Sequence, residues 1–173
     1  MAERGRDEEF REFDESRADW LRRVAFLLCS DWHRADDLVQ ETFTKLYVHW
    51  RRMRRAENPD GYARAVLVNT FLAEQRSPRL RWAARWQGRP VEDHPAPPAD
   101  PDASLDLRRA LAAIPPRQRA TLVLRYYHDL SVEQTADALG CSPGNVKSQT
   151  ARGLQALRGV LAARSATTAG RTV

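Results

Sequence analysis

Five prolines fall between Pro90 and Pro101, inside the run "RPVEDHPAPPADPDA". Each proline removes a backbone donor and pushes the residue before it toward extended backbone, so this stretch does not easily form a helix. It reads as an extended, partly disordered linker. A chain of 173 residues has room for one medium domain or two small ones, and an interruption here favours two. The boundaries follow: a first unit over 8–77, a linker over 78–103, a second unit over 104–163, and a small, polar tail over 164–173 that is expected to fray.

Both flanks carry helical periodicity. Trp20, Leu21, Val24, Leu27 and Leu28 form one stripe, and Leu38, Val39, Phe43, Leu46, Tyr47 and Trp50 form a second. "ENPDGYARAVLVNTFLAEQ" opens a third helix. Asn58 is placed to cap it, Pro59 suits its first position, and Asp60 complements its positive end. Apolar residues surround most of this helix, which makes it central to its unit. After the linker, Leu107, Leu111 and Ile114 form a stripe that Pro115 and Pro116 end, and "RQRATLVLRYYHD" is the next helix. No period-2 run bounded by hairpin turns is present. The expected fold class is all-α.

Charge is unevenly distributed. The net charge is +5, yet the first twenty residues carry eight acids against four arginines. Gln75 to Val91 holds five arginines, two tryptophans and no acid, whereas Glu92 to Asp106 holds five acids and no Lys or Arg. From Ser104 to Val173 ten basic residues face four acidic ones, a net +6, which favours a polyanionic partner for the second unit. Two cysteines, Cys29 and Cys141, make neither a disulfide framework nor a zinc pattern. Cys29 and His33 are four apart and could share a helix face, but two ligands do not make a metal site. The acidic N-terminus has no basic n-region and apolar core, and the longest useful apolar run, "VAFLLC", is far too short for a bilayer. The expected location is the cytoplasm.

The second unit contains the most informative motif, "LSVEQTADALGCSPGNVKSQTARGLQAL". Ser131 and Gln134 have capping-box spacing, and Val132, Ala136 and Leu139 give the helix an apolar face. Gly140 ends it, where a left-handed residue is usually needed. Ser142 caps a further helix with Pro143 at its first position. The stripe Val146, Thr150, Leu154, Leu157 and Leu161 turns Asn145, Ser148, Arg152 and Gln155 outward and leaves Lys147 and Gln149 on the flanks. This is the pattern of a helix-turn-helix whose second helix lies in a major groove. Arg and Lys donate to guanine, Asn and Gln pair with adenine, and helix N-termini receive phosphate. A solvated helix face would also be polar; the caps, the glycine break and the local charge favour DNA.

Other clusters say less. Asp36, Asp37 and Glu41 lie near one another on a helix. With no converging His, Lys or nucleotide loop, they read as an acidic surface for a basic partner rather than an acid–base pair. Arg51 to Arg55, "RRMRR", fits a solvated helix end or a phosphate contact equally well. Trp82 and Trp86, among Arg79, Arg81, Arg85 and Arg89, either pack on a domain or stack on bases. No P-loop, dinucleotide fingerprint, nucleophile elbow or zinc-spaced His pair is present. No catalytic residue, cofactor or metal is implied.

Three segments, "RADDLVQETFTKLYVHW", "NPDGYARAVLVNTFLAEQRS" and "LAAIPPRQRATLVLRYYHDLSVEQTADALGCSPGNVKSQTARGLQALR", together resemble bacterial RNA polymerase sigma factors of the extracytoplasmic-function type. The resemblance spans about residues 8 to 163 and is poor only in the linker. It implies two helical domains, sigma-2 and sigma-4, joined by a flexible linker that threads through the polymerase. It implies that sigma-2 binds the coiled coil of the beta-prime subunit through Asp36, Asp37, Leu38, Gln40, Glu41 and Phe43. The same domain would recognise and melt the minus-10 element through Asn69, Thr70, Glu74, Gln75 and Arg76. Sigma-4 would touch the beta-subunit flap and read the minus-35 element. Family contacts there fall at Lys147, Ser148, Ala151 and Arg152, and with the helical-wheel positions the candidate set is Ser142, Asn145, Lys147, Ser148, Gln149, Ala151 and Arg152. Some relatives carry a large side chain where this chain has Ala151, so the promoter sequence does not transfer. An anti-sigma factor is a common partner in the family; nothing in the sequence identifies one. The resulting expectation is a non-enzymatic promoter-specificity subunit. The alternative is a conventional helix-turn-helix regulator binding duplex operator DNA, which would not need the acidic helix. A small helical enzyme has almost no support.

Overall fold

The computed structural model describes residues 2–77 and 101–169, with side chains over 5–77 and 107–163. The chain divides into two units, Met1–Gln87 and Gly88–Val173, and the division falls within the stretch expected to be a linker. No strand occurs among the described residues.

In the first unit, α1 (Ala2–Cys29) is followed by α2 (Trp32–Val48), the short α3 (Trp50–Arg54) and α4 (Pro59–Arg76). Helix α1 begins six residues before the expected boundary at residue 8. It ends at Ser30, whose φ of 58° turns the chain out of the helix. Asp31 then caps α2, its carboxylate accepting from the Arg34 N–H at 3.1 Å. The i, i+3, i+4, i+7 spacing of Ala35, Leu38, Val39, Thr42, Phe43 and Leu46 gives α2 one buried face, which packs on Leu21, Val24, Ala25 and Leu28 of α1. Burying each of the larger side chains contributes about 1.5–3 kcal/mol.

Trp50 continues the hydropathic stripe of α2, but the helix does not: it stops at His49, and Trp50 opens α3. The ring joins Phe10, Phe13, Phe43 and Tyr47 in an aromatic cluster, with Phe10 edge-on to Phe43, Tyr47 and Trp50 at 5.1–6.2 Å. Those contacts, made by residues from the α1 segment that the sequence showed only as charged, hold the first four turns of α1 in place. Helix α4 starts as expected: Asn58 Oδ1 accepts from the Gly61 N–H at 2.8 Å, and Pro59 takes the first position. It buries Ala63, Leu67, Val68, Phe71 and Leu72 against the other three helices.

The second unit contains α5 (Pro101–Ala113), α6 (Pro116–Leu122), a π-helical turn (Val123–Tyr127), α7 (Val132–Leu139) and α8 (Pro143–Ala169). Two expected boundaries move. Helix α5 takes in the last three residues assigned to the linker, because Pro101 sits at its start, where a missing N–H costs nothing. Helix α8 runs on to Ala169, six residues past the expected boundary at 163. The Pro115–Pro116 corner is held by Arg119, whose guanidinium donates to the Ala112 and Ile114 carbonyls at 2.9 and 3.1 Å. The expected single helix through "RQRATLVLRYYHD" widens at its end, where the His128 N–H reaches back five residues to the Val123 carbonyl at 3.2 Å.

The core of this unit is Ala110, Leu111, Ile114, Ala120, Leu122, Val123, Leu124, Ala136, Leu139 and Val146. A close approach occurs at Gly153, where an added Cβ would lie 3.1 Å from Leu122 Cγ and Cδ1. Helix α8 therefore lies against α6 through a position with no side chain. Among the described residues no helix is long and apolar enough to cross a membrane.

Candidate nucleic-acid interface

The helix-turn-helix is built from local chemistry. The Ser131 hydroxyl accepts from the Gln134 N–H at 3.0 Å while the Gln134 side chain accepts from the Ser131 N–H at 2.9 Å, closing the capping box. Gly140 ends α7 at φ 59°, and the Cys141 N–H returns to the Ala136 carbonyl at 3.0 Å. Ser142 Oγ accepts from the Asn145 N–H at 3.2 Å and opens α8. The expected punctuation is present at each of these positions.

The face that α8 presents differs from the helical-wheel reading. Lys147, set on the flank by the wheel, is exposed, together with Ala151, Arg152 and Gln155; Ser142 is exposed beside them. Asn145, Ser148 and Gln149 are half-buried, so Asn145 points less outward than the wheel placed it. The cause is Gly153. It is buried against Leu122 yet contributes nothing to a hydropathy stripe, so the stripe was drawn through Leu161, which is 37% exposed. Of Lys147, Ser148, Ala151 and Arg152, three are exposed and Ser148 is half-buried.

In the first unit the candidate residues divide between surface and interior. Leu38 is 0% and Phe43 9% exposed; both are core side chains that seat α2 and neither offers itself on the surface. Gln40 is exposed, and Asp36, Asp37 and Glu41 are half-exposed. Asp36 is held by a two-pronged pair with Arg22, whose Nη2 donates to Oδ2 at 3.1 Å and whose guanidinium stacks 4.8 Å from the Trp32 ring centre. Glu41 pairs with Lys45 one turn on, at 2.8 Å.

At the end of α4, Asn69 and Arg76 are exposed and Gln75 is half-exposed. Asn69 Nδ2 donates to the Ala65 carbonyl at 2.8 Å. Thr70 and Glu74 face inward instead, at 3% and 9% exposure, so neither side chain presents itself to a strand outside. The Thr70 hydroxyl donates to the Val66 carbonyl at 2.7 Å and accepts from Lys45 Nζ at 3.0 Å. Glu74 Oε2 lies 3.7 Å from Arg34 Nη2, an ion-pair distance too long for a hydrogen bond. Burial pushes the Glu74 carboxyl above the usual glutamate range; Glu41 and Asp37 push the same way, and Arg34 and Lys45 oppose them.

Arg34 and Lys45, the links between α2 and α4, were missed by sequence reasoning. Their signal was slight: Lys45 is one of two lysines beside 26 arginines, four residues after Glu41. In "RRMRR", Arg54 pairs with Glu9 at 2.6 Å and Met53 is buried, while Arg51, Arg52 and Arg55 are exposed. The Trp82 and Trp86 segment lies outside the described residues. Among the described residues no group of three His, Cys, Asp or Glu is placed to hold a metal ion.

Known proteins match over both units. Residues 14–82 match the family described as Sigma-70 region 2, and residues 104–157 match Sigma-70, region 4. The RNA polymerase sigma-E factor of Streptomyces coelicolor is 36% identical over 158 residues, covering 90% of this chain and 88% of its own length. The ECF RNA polymerase sigma factor SigL of Mycobacterium tuberculosis is 32% identical over 145 residues, covering 80% of each chain. Among solved structures, the sigma factor RpoE of Bartonella quintana, crystallised with the anti-sigma factor NepR, superposes with a TM-score of 0.69 at 28% identity, covering 88% of this chain and 96% of that one. With regions 2 and 4 both present, in order, on two helical units, the chain belongs to the extracytoplasmic-function sigma factors, the non-enzymatic subunits that direct transcription initiation by RNA polymerase.

Proposed function

We propose that the chain divides its work between its units, with 8–77 as the sigma-2 domain, 104–163 as sigma-4 and the linker between them. Sigma-2 docks on the beta-prime coiled coil through Asp36, Asp37, Gln40 and Glu41, with Leu38 and Phe43 holding that surface in shape from behind. The end of α4 meets the minus-10 strand through Asn69, Gln75 and Arg76, and the inward Thr70 and Glu74 set the position of that turn. In sigma-4, Lys147, Ala151 and Arg152 face the minus-35 major groove. Ser142, Asn145, Ser148 and Gln149 flank them, and the same domain touches the beta-subunit flap.

The observation that carries this reading is the exposure of Lys147, Ala151 and Arg152 on the first three turns of a capped helix in a basic unit. Arg and Lys there can donate to guanine edges, and the uncovered helix N-terminus favours phosphate. The flat Ala151 surface suits a thymine methyl better than a hydrogen-bonding edge. An anti-sigma factor belongs to this reading as a regulator, as in the Bartonella relative, and the cytoplasm as its place of work.

Run-off transcription with core polymerase, followed by start-site mapping, is the test. The expected result is initiation from a discrete promoter class only when the protein is added. Failure to bind core enzyme, with tight binding of duplex operator by the protein alone, would replace this reading by that of a conventional regulator.

A further inference from the structure

We propose that Lys45 is a positioning residue for promoter opening: its ammonium ties the polymerase-docking helix α2 to the last two turns of α4, which present Asn69 and Gln75. This rests on the assignment of α2 to docking and of the α4 end to the minus-10 strand. The geometry is a bridge across two helices. Lys45 Nζ lies 2.8 Å from Glu41 Oε1 on the docking surface and 3.0 Å from Thr70 Oγ1 on α4. Thr70 has already given its hydroxyl proton to the Val66 carbonyl, so its oxygen is left as an acceptor for the ammonium. At 3% exposure Thr70 is not a base reader; its hydroxyl is a fixed point by which α2 holds α4.

A lysine suits this place in a chain that uses arginine at 26 of its 28 Lys/Arg positions. A compact ammonium with three rotatable donors serves two oxygens on different helices, whereas a planar guanidinium fork is shaped for two oxygens of one group.

The surrounding charges make the bridge responsive to docking. Glu74 is drawn by Arg34 and Lys45 and repelled by Glu41 and Asp37, all four from α2. A basic partner surface that occupies Glu41 and Asp37 removes the repulsion and frees part of the Lys45 charge. Both changes strengthen the hold of α2 on Thr70 and Glu74. The polymerase surface and the reading turn are thereby coupled through named groups, with no change of fold.

The test uses the full chain with core polymerase, comparing a duplex promoter with one already unpaired across the minus-10 element, and reading strand opening by permanganate. Lys45→Met should form holoenzyme normally yet open the duplex about tenfold less well, the scale of one charge-assisted hydrogen bond. The unpaired template should restore it. Thr70→Val should reproduce the loss, and the double variant should be no worse than either single one, because both remove the same bridge. Multiplying losses, or a loss that persists on the unpaired template, would overturn the proposal. Asn69→Ala separates the two layers of inference: normal duplex opening by Lys45→Met beside a defective Asn69→Ala sinks the bridge alone, and normal opening by both sinks the minus-10 placement with it.

Discussion

The two units present their candidate surfaces in different ways. In sigma-4 the candidate reading face lies on one helix, α8, where Lys147, Ala151 and Arg152 are exposed. In the first unit the candidate surface is shared by α2 and α4, and six of its eleven residues belong to the interior or to a charge network: Leu38, Phe43, Thr70 and Glu74 are buried, and Asp36 and Glu41 are paired. A single-helix reader tolerates side-chain changes and alters specificity. A reader assembled between helices passes each change on to stability or to the neighbouring face.

The sharpest way to break that contrast is at Leu38 and Asp37, adjacent residues with opposite surroundings. Leu38→Ala should cost about 2–5 kcal/mol of stability, read by thermal or denaturant unfolding, because it empties a fully buried site. Asp37→Arg should cost far less stability than Leu38→Ala and impair holoenzyme assembly, because it reverses charge on the proposed docking surface. Equal effects of the two on both measurements would erase the distinction between seat and surface.

In sigma-4 the corresponding change is Arg152→Ala. It should weaken minus-35 recognition by roughly 1–3 kcal/mol, the scale of one good base contact, with no loss of stability. A promoter panel with single-base changes would show relaxed preference at one position; unchanged specificity would remove Arg152 from the reading face. Gly140→Ala tests the turn between the helices. There is open space around Gly140, so the expected loss of about 1–2 kcal/mol comes from forcing a side chain into left-handed backbone. A neutral result would mean that the turn relaxes out of that conformation.

The same contrast explains what the sequence disclosed. Capping boxes, proline starts and a glycine stop are local signals, and Asn58, Ser131, Gly140 and Ser142 were legible because each acts within four residues of itself. The rotation of α8 was not legible, since a buried glycine leaves no mark in a hydropathic pattern. The Lys45–Thr70 and Arg34–Glu74 links join residues 25 and 40 positions apart, and nothing in either helix alone announces them. Likewise, α1 reads as an acidic, solvated start until Phe10 and Phe13 meet Trp50. Where α4 would pass a strand onward, beyond Ser77, the described residues end.

Glu74 carries the smallest expected effect and the most specific one. Its folded pKa is raised, chiefly by burial, so the protonated form is the one the fold favours. A group of this kind contributes its full stability below the ordinary glutamate pKa of about 4.3 and loses it as pH rises through the higher folded value. Glutamine resembles the protonated acid at every pH. Glu74→Gln should therefore unfold at nearly the same temperature as the unaltered protein near pH 4 and slightly higher near pH 7, as read by melting curves across that range. The gap should open above the ordinary glutamate range. A variant less stable at pH 7 would mean that the Arg34 pair, at 3.7 Å, outweighs burial and the two acids of α2. The first unit would then be held across α2 and α4 by an ion pair that gains from an ionised Glu74, already satisfied before any polymerase surface reaches Glu41.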